Sequence, residues 1–259
     1  AGDGGRTAYP GGSAANVAVA LARLGRQVRL ATAFAHDEHG RLLGEHLRTA
    51  GVSLAADPAI VPRTSSAVAT IGADGAASYR FDLDWRLPAV PTVPTPLAVH
   101  VCSLGAVLAP GADDVVALVE RLRQHSTVTY DVNARPAVTG AGPALVEAVH
   151  RVAALADLVK ASDEDLATLY PDADLPTAAR RLLELGPAAV VVTRGGQGAS
   201  WVSPAGTVEV PAPVVEVADT IGAGDTFGAA LVDALWSRGR LGPGGRAGLP
   251  GLDRDEIEA

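Results

Sequence analysis

No methionine and only one cysteine, Cys102, occur in this 259-residue sequence. A lone cysteine excludes a disulfide framework within the chain and fits a reducing cytoplasm. With no methionine and an alanine at position 1, the expectation is an N-terminus that is processed, trimmed or incomplete, any signal sequence having preceded residue 1. No apolar run approaches the ~20 residues needed to cross a bilayer. The net charge of −8 argues against a nucleic-acid or anionic-membrane partner. Lysine is almost missing too: Lys160 stands alone among arginines. Several catalytic signatures are absent, including the Gly-Lys-Ser/Thr ending of a P-loop and the Gly-x-Ser-x-Gly nucleophile elbow. His36-Asp37-Glu38-His39 lacks the spacing of a helical zinc site, and the other histidines are scattered. There is no internal repeat or low-complexity tract. Hydrophobic residues make up 48% of the chain, enough for a sizeable core at this length.

Strand-like and helix-like segments alternate. Strands are expected at 28–34, 100–104, 127–133, 158–161 and 189–193, with helices at 40–49, 114–125, 143–156 and 177–185 between them. Val115, Leu118, Val119 and Leu122 share one helix face. This rhythm predicts a mostly parallel sheet between helices, with ligands beyond the carboxyl ends of the strands. Two hairpins break it. Segments 66–71 and 77–83 flank Ala73-Asp74-Gly75, and Tyr79, Phe81 and Leu83 alternate as a half-buried strand does. Segments 199–202 and 207–210 should form an antiparallel edge. Segment 87–96, with four prolines, reads as a linker, and 252–259 as a helix cut off after its first turns.

The most informative stretch is Asp219-Thr220-Ile221-Gly222-Ala223-Gly224-Asp225. Extended, proline-punctuated chain precedes it. After it, Phe227, Leu231, Ala234 and Leu235 recur at helical spacing through Arg238, with Gly239 as a stop. Glycines bring bare N–H groups close to a ligand, and the positive end of a helix dipole completes an anion site. An acid beside such a site makes sense as a base that takes a proton from a hydroxyl attacking bound phosphate. A Rossmann fingerprint does not fit, because Phe227 stands where its third glycine belongs. An ordinary glycine-rich turn, with Asp225 complementing the helix dipole, stays open.

Four further segments accompany this run. Near the start lies Pro10-Gly11-Gly12-Ser13-Ala14-Ala15-Asn16, with Ser13 expected as an N-cap, Val17, Leu21 and Leu24 as a buried stripe, and Gly25 as a stop. Asn16 is either a hydrogen-bonding partner of sugar hydroxyls or an exposed helix asparagine. Then follow Asp131-Val132-Asn133-Ala134-Arg135, Lys160-Ala161-Ser162-Asp163-Glu164-Asp165 and Thr193-Arg194-Gly195-Gly196-Gln197-Gly198. In this order the five segments resemble the signatures of the ribokinase-like (PfkB) carbohydrate kinases, most closely the fructokinase branch. Val132 replaces the proline of that branch's Asp-Pro-Asn-x-Arg. Ser162 and Asp165 stand at the Asn and Glu positions of Lys-x-Asn-x-x-Glu.

The resemblance implies an α/β fold: a three-layer sandwich with a mostly parallel central sheet and a small β-lid at about 62–88. It implies one domain over 1–259, without the family's first strand and last helices. The family's sugar-binding Asp on that strand would lie upstream of residue 1, and Asp3 is not given its role. By the same likeness Asp225 is the base, and Gly222, Ala223 and Gly224 with Asp225 supply an anion hole. Gly11, Gly12, Asn16 and Arg135 join Asp225 at the sugar. Lys160, Ser162, Thr193, Arg194, Gly195, Gly198 and Thr220 contact ATP, and Asp165 orders Mg2+. Local alternatives stand beside these roles. Ser162 with Asp165 is also a capping box, Lys160 a solvated strand-end residue, and Arg135 and Arg194 surface arginines. The implied partners are a small sugar and ATP, with a homodimer formed through the lid. Fructose is the first acceptor expected, with ribose, 2-keto-3-deoxygluconate and nucleosides open. A sugar- or nucleotide-binding protein without turnover is the alternative of a different class.

Overall fold

The structure, a computed structural model, describes residues 7–71, 77–214 and 222–258. In chain order its elements are α1 (Ser13–Arg23), β1 (Arg29–Leu30), α2 (Glu38–Thr49), β2 (Ser53–Leu54), β3 (Ser66–Ile71), β4 (Ala77–Asp82), β5 (Ala98–Cys102), α3 (Leu104–Val107), α4 (Gly111–Leu122) and β6 (Thr127–Asp131). They continue with α5 (Pro136–Thr139), α6 (Pro143–Ala153), β7 (Leu158–Ser162), α7 (Asp163–Leu169), α8 (Leu175–Leu183), β8 (Ala189–Thr193), β9 (Ala199–Ser203), β10 (Gly206–Val210), α9 (Ala223–Ser237), α10 (Gly242–Arg246) and α11 (Arg254–Glu258).

Apolar runs on the strands bury both faces of one six-stranded sheet, ordered β10-β9-β8-β7-β6-β5. Neighbours β5 to β8 are parallel, and β9 and β10 add the expected antiparallel hairpin at one edge. Alternation along the strands splits their side chains between two cores. Val159, Ala161, Val190 and Val192 pack with Val119 of α4, Val149 and Val152 of α6, Leu166 of α7 and Leu182 of α8. Leu158, Ala189 and Val191 pack on the opposite face with Val17 and Leu21 of α1 and Val232 and Leu235 of α9. The result is the three-layer α/β sandwich, its parallel strands covered on both sides as such strands require. Among the described residues, no helix is long and apolar enough to cross a membrane.

Five local expectations change. The strand expected at 28–34 is only Arg29–Leu30, and it pairs in parallel with Ser53–Leu54 outside the main sheet. The chain beyond it turns away: Phe34 N donates to Pro58 O, and the Phe34 ring packs with Leu30 and Leu47 in a third cluster under α1 and α2. Leu24 is 51% exposed rather than buried, because it is the C-cap of α1, where the chain leaves through Gly25. Ser13 is the first helical residue and Gly12 the N-cap. Helix α4 begins at Gly111 and ends at Leu122, and Leu104, expected in a strand, opens the short α3.

The strands β3 and β4 pair from Ser66↔Asp82 to Ile71↔Ala77, and the turn at Ala73-Asp74-Gly75 lies outside the described residues. Both ends of this hairpin are tied to the body. Asp37 caps α2 through Gly40 N and accepts from Thr64 N and Oγ1, bonds that hold its carboxyl down to about 2, those from Thr64 contributing most. Ser65 Oγ and the Asp84 backbone bond reciprocally, each at 3.0 Å. Trp85 follows: its Nε1 donates to Gly105 O at 3.1 Å, and its carbonyl accepts from Gly111 N at 3.2 Å. A Cβ at Gly111 would come within 2.5 Å of the Trp85 ring. Gly111→Ala is therefore expected to overpack this anchor and destabilise the protein by about 1–3 kcal/mol. Chemical denaturation monitored by circular dichroism measures that loss; an unchanged midpoint contradicts the anchor.

Candidate active site

Because the central strands are parallel and in register, their carboxyl ends lie side by side. Cys102 pairs with Asp131, Asp131 with Lys160, and Ser162 with Thr193. The N-termini of α1 and α9, which pack against each other, add to this end of the molecule. Both helices are entered through a glycine at positive φ, 103° at Gly12 and 74° at Gly222, where a side chain would be strained. Neither N-terminus has a side-chain cap. In α9 the first helical bond runs from Thr226 N to Gly222 O, so the N–H groups of Ala223, Gly224 and Asp225 have no partner within the helix.

Asp225, in that first turn, is only 6% exposed. Asn16 Nδ2 donates to its Oδ2 at 2.7 Å. Asn133 Nδ2 lies 3.3 Å from its Oδ1 and donates to Ser13 Oγ at 2.7 Å. Asn16 is thus half-buried and bonded to a carboxylate, and Ser13, freed from capping, accepts a side-chain bond instead.

Below the turn, Lys160 Nζ lies 3.0 Å from Asp131 Oδ2, with both side chains almost entirely buried. The solvated strand-end reading of Lys160 does not hold. A Cβ at Gly224 would approach Nζ to 3.1 Å, so the ammonium rests against the first turn of α9. Burial pushes the Asp131 carboxyl up to about 6 against the pull of Lys160. On β5, His100 Nδ1 is 2.9 Å from Thr129 Oγ1, and burial pushes this imidazole down to about 4. Burial, reinforced by the Asp131 and Asp225 charges, raises the Cys102 thiol, which leaves it no thiolate character.

The other residues singled out in the sequence separate into groups. Ser162 and Asp165 form the capping box of α7, with Asp165 N donating to Ser162 Oγ and Ser162 N to Asp165 Oδ2. Asp165 Oδ1 accepts from Ala134 N at 2.8 Å, which ties α7 to the loop after β6. Both Asp165 oxygens are thus engaged, and no cluster of three His, Cys, Asp or Glu occurs among the described residues. Thr193 ends β8 and leads into a 3-10 turn at Gly195–Gln197, closed by Arg194 N donating to Gly198 O. The Arg194 guanidinium turns toward the sheet edge and pairs with Glu209 of β10. Arg135 is exposed and donates to Ala134 O. Gly11 is exposed just ahead of α1, and Thr220 lies outside the described residues. The structure thus gathers Gly12, Asn16, Lys160, Gly222, Ala223, Gly224 and Asp225 and turns Arg194 to another partner. The sequence places Asp131 and Asn133 at the ligand-facing strand ends, within the segment matched to Asp-Pro-Asn-x-Arg, but gives neither a role, and it singles out nothing for His100. The available signal for Asn133 was an asparagine just past a strand end, a residue type that tolerates the φ of 37° found there.

Removing one member of a buried ion pair strands the other's charge. Lys160→Met is expected to lower stability by about 3–5 kcal/mol in urea unfolding at pH 7, and the double variant Lys160→Met/Asp131→Asn to recover most of that. No recovery would contradict the pairing. His100 supplies a separate pH signature. Its pKa falls from 6.5 to about 4 on folding, so its contribution is complete above pH 6.5 and is lost as pH falls toward 4. Asp131 acts with the opposite sign, losing stability as pH rises from 3.8 to about 6, but it is common to both proteins in the comparison. Relative to His100→Asn, the natural chain should lose urea midpoint as pH drops from 6.5 to 4; parallel pH profiles contradict this.

Residues 4–245 match the profile of the pfkB family carbohydrate kinases. A fructokinase of Rhizobium leguminosarum bv. trifolii is 33% identical over 241 residues, covering 90% of this chain and 74% of that protein. An aminoimidazole riboside kinase of Salmonella typhimurium is 29% identical over 237 residues, covering 87% and 73%. The crystal structure of fructokinase from Vibrio cholerae O395, in its fructose, ADP and calcium ion bound form, matches with a TM-score of 0.72 at 28% identity, over 91% of this chain and 79% of that one. The fold, the ordered motifs and these likenesses agree: this chain belongs to the PfkB family of carbohydrate kinases.

Proposed function

We propose that this sugar kinase transfers the γ-phosphoryl group of ATP to a hydroxymethyl group of fructose, with Asp225 as the base. The observation that carries the reading is a buried carboxylate in the first turn of α9, with Asn16 at one oxygen and Asn133 at the other, beside N–H groups that have no partner in the helix. So placed, Asp225 takes the proton of an acceptor hydroxyl over the turn. The hydroxyl oxygen forms a bond to the γ-phosphorus, the bond from that phosphorus to the bridging oxygen breaks, and ADP leaves. The N–H groups of Gly222, Ala223, Gly224 and Asp225 meet the charge on the moving phosphoryl group, and Lys160 adds positive potential from below. General-base assistance is typically worth ~10²–10⁴-fold, and positioning supplies the larger share.

Supporting fructose are the Asp131–Arg135 segment and the fructokinases among the relatives, one solved with fructose and ADP. A riboside acceptor is the second reading, favoured by the aminoimidazole riboside kinase likeness. ATP is assigned to the side of the Thr193–Gly198 turn. Magnesium would enter with the ATP phosphates, with Asp165 and its neighbours ordering the waters around it, and would neutralise phosphate charge there. Closure of the β3–β4 hairpin over the sugar would keep water from the phosphoryl group.

ADP release with Mg-ATP and a panel of fructose, ribose, 2-keto-3-deoxygluconate, adenosine and aminoimidazole riboside tests this directly. Turnover with fructose alone is expected. Ligand-dependent thermal stabilisation without ADP release from any of them would sink the kinase assignment. Asp225→Asn is expected to keep folding and ATP binding near those of the natural chain while losing ~10²-fold or more in turnover. Undiminished activity in that variant removes Asp225 from the role of base.

A further inference from the structure

We infer that Asn133 is a positioning residue of the phosphoryl-transfer site, holding the Asp225 carboxylate in one orientation; this rests on Asp225 being the base. A carboxylate bonded at one oxygen can still swing about its terminal torsion. Here Asn16 holds Oδ2 from α1 and Asn133 reaches Oδ1 from the loop after β6, so each oxygen has its own side-chain donor. The same Asn133 amide nitrogen donates to Ser13 Oγ, joining the loop, α1 and α9 at a single atom.

The backbone around Asn133 is built to present that amide. Asn133 (φ 37°) and Ser103 (φ 51°) are the only non-glycine residues at positive φ among the described residues, and they are bonded to each other. Ser103 Oγ donates to Asn133 O at 2.8 Å, while Ser103 N donates to Asp131 O at 3.0 Å. From the other side Ala134 N is fixed by Asp165 Oδ1. Residues with a Cβ keep such conformations only where the surroundings hold them, and these cluster at functional sites. Two elements, β5–α3 and α7, therefore converge on one loop whose side chain ends at the base.

The chemistry of the donors also fits. A neutral amide orients a carboxylate by a directional hydrogen bond without adding a full charge beside the phosphoryl-transfer site. The one lysine, lying against the same helical turn, is bonded to Asp131 rather than to Asp225, so its ammonium acts on the turn only at a distance. The titratable or charged groups whose charges couple with this centre are His100 and Cys102 on β5, Asp131 on β6, Lys160 on β7, Asp165 on α7 and Arg135 after β6. None of them changes in the variants below, so a shifted pH profile reports on position 133.

Two substitutions separate positioning from folding. Asn133→Gly removes the amide while relaxing the backbone, so the protein should fold. Its kcat is expected to fall about 10–100-fold with KM for sugar and ATP within about threefold, since orientation of the base is lost and binding is not. Asn133→Asp keeps the shape and the tolerance of positive φ but sets a second carboxylate beside Oδ1. Two carboxylates so close do not both ionise readily, so the acidic limb of the kcat–pH profile should move up by about one pH unit or more, with activity partly restored at high pH. An unmoved limb in Asn133→Asp, or natural kcat in Asn133→Gly, overturns the inference while leaving Asp225→Asn inactive and the reading of the base intact. If Asp225→Asn is itself active, the reading of the base fails, and the role of Asn133 fails with it.

Discussion

A carboxylate can stay buried at the mouth of this sheet only because neutral donors from distant parts of the chain converge on it. Transferring an ionised group out of water without partners costs several kcal/mol or more. Asp225 meets that demand through Asn16 on α1 and Asn133 after β6. The rest of the site follows from keeping those partners in place. Packing of α1 along α9 fixes Asn16, and Arg26 reinforces the far end of that packing by pairing with Asp233 and stacking over Trp236. The bonds from Ser103 and to Asp165 fix the loop that carries Asn133.

Beneath this carboxylate lies a second polar layer of a different kind. Asp131 and Lys160 form an ion pair in a region where His100 stays neutral and Cys102 is inert, and the pair's mutual attraction offsets only part of their desolvation. Gly224 has no side chain at the point where Lys160 meets α9. The glycines of the 222–224 turn thus act in two ways. Gly222 allows the left-handed entry to the helix, and Gly224 admits a cation close below the helix terminus. Positive potential there adds to the helix dipole, which suits an anion-handling turn better than a merely structural one.

Much of the fold was legible from local pattern. Alternating apolar strands and amphipathic helices are imposed by short-range spacing, so the parallel strands, the two hairpins and the long α9 could be placed within a few residues. The failures share one cause. The strand expected at 28–34 is apolar enough, but Phe34 is used against α1 and α2, and hydropathy does not say which core an apolar residue joins. Leu24 kept the helical period and still emerged on the surface, because the helix ended under it.

The site divides along the same line. The chain's own order of residues determined the glycine-entered terminus of α9, the acid in its first turn and the capping box at Ser162–Asp165, since each is a property of contiguous residues. Contacts between residues far apart in sequence belonged to the tertiary structure alone. It turned Ser13 from a cap into an acceptor for Asn133, and Lys160 from a solvated cation into half of a buried pair. It directed Arg194 toward Glu209 and brought Asn16 and Asn133 to opposite oxygens of one carboxylate. Local spacing fixes how a backbone turns; only packing decides which side chains share a desolvated space, and that sharing sets which groups are charged, neutral or bound.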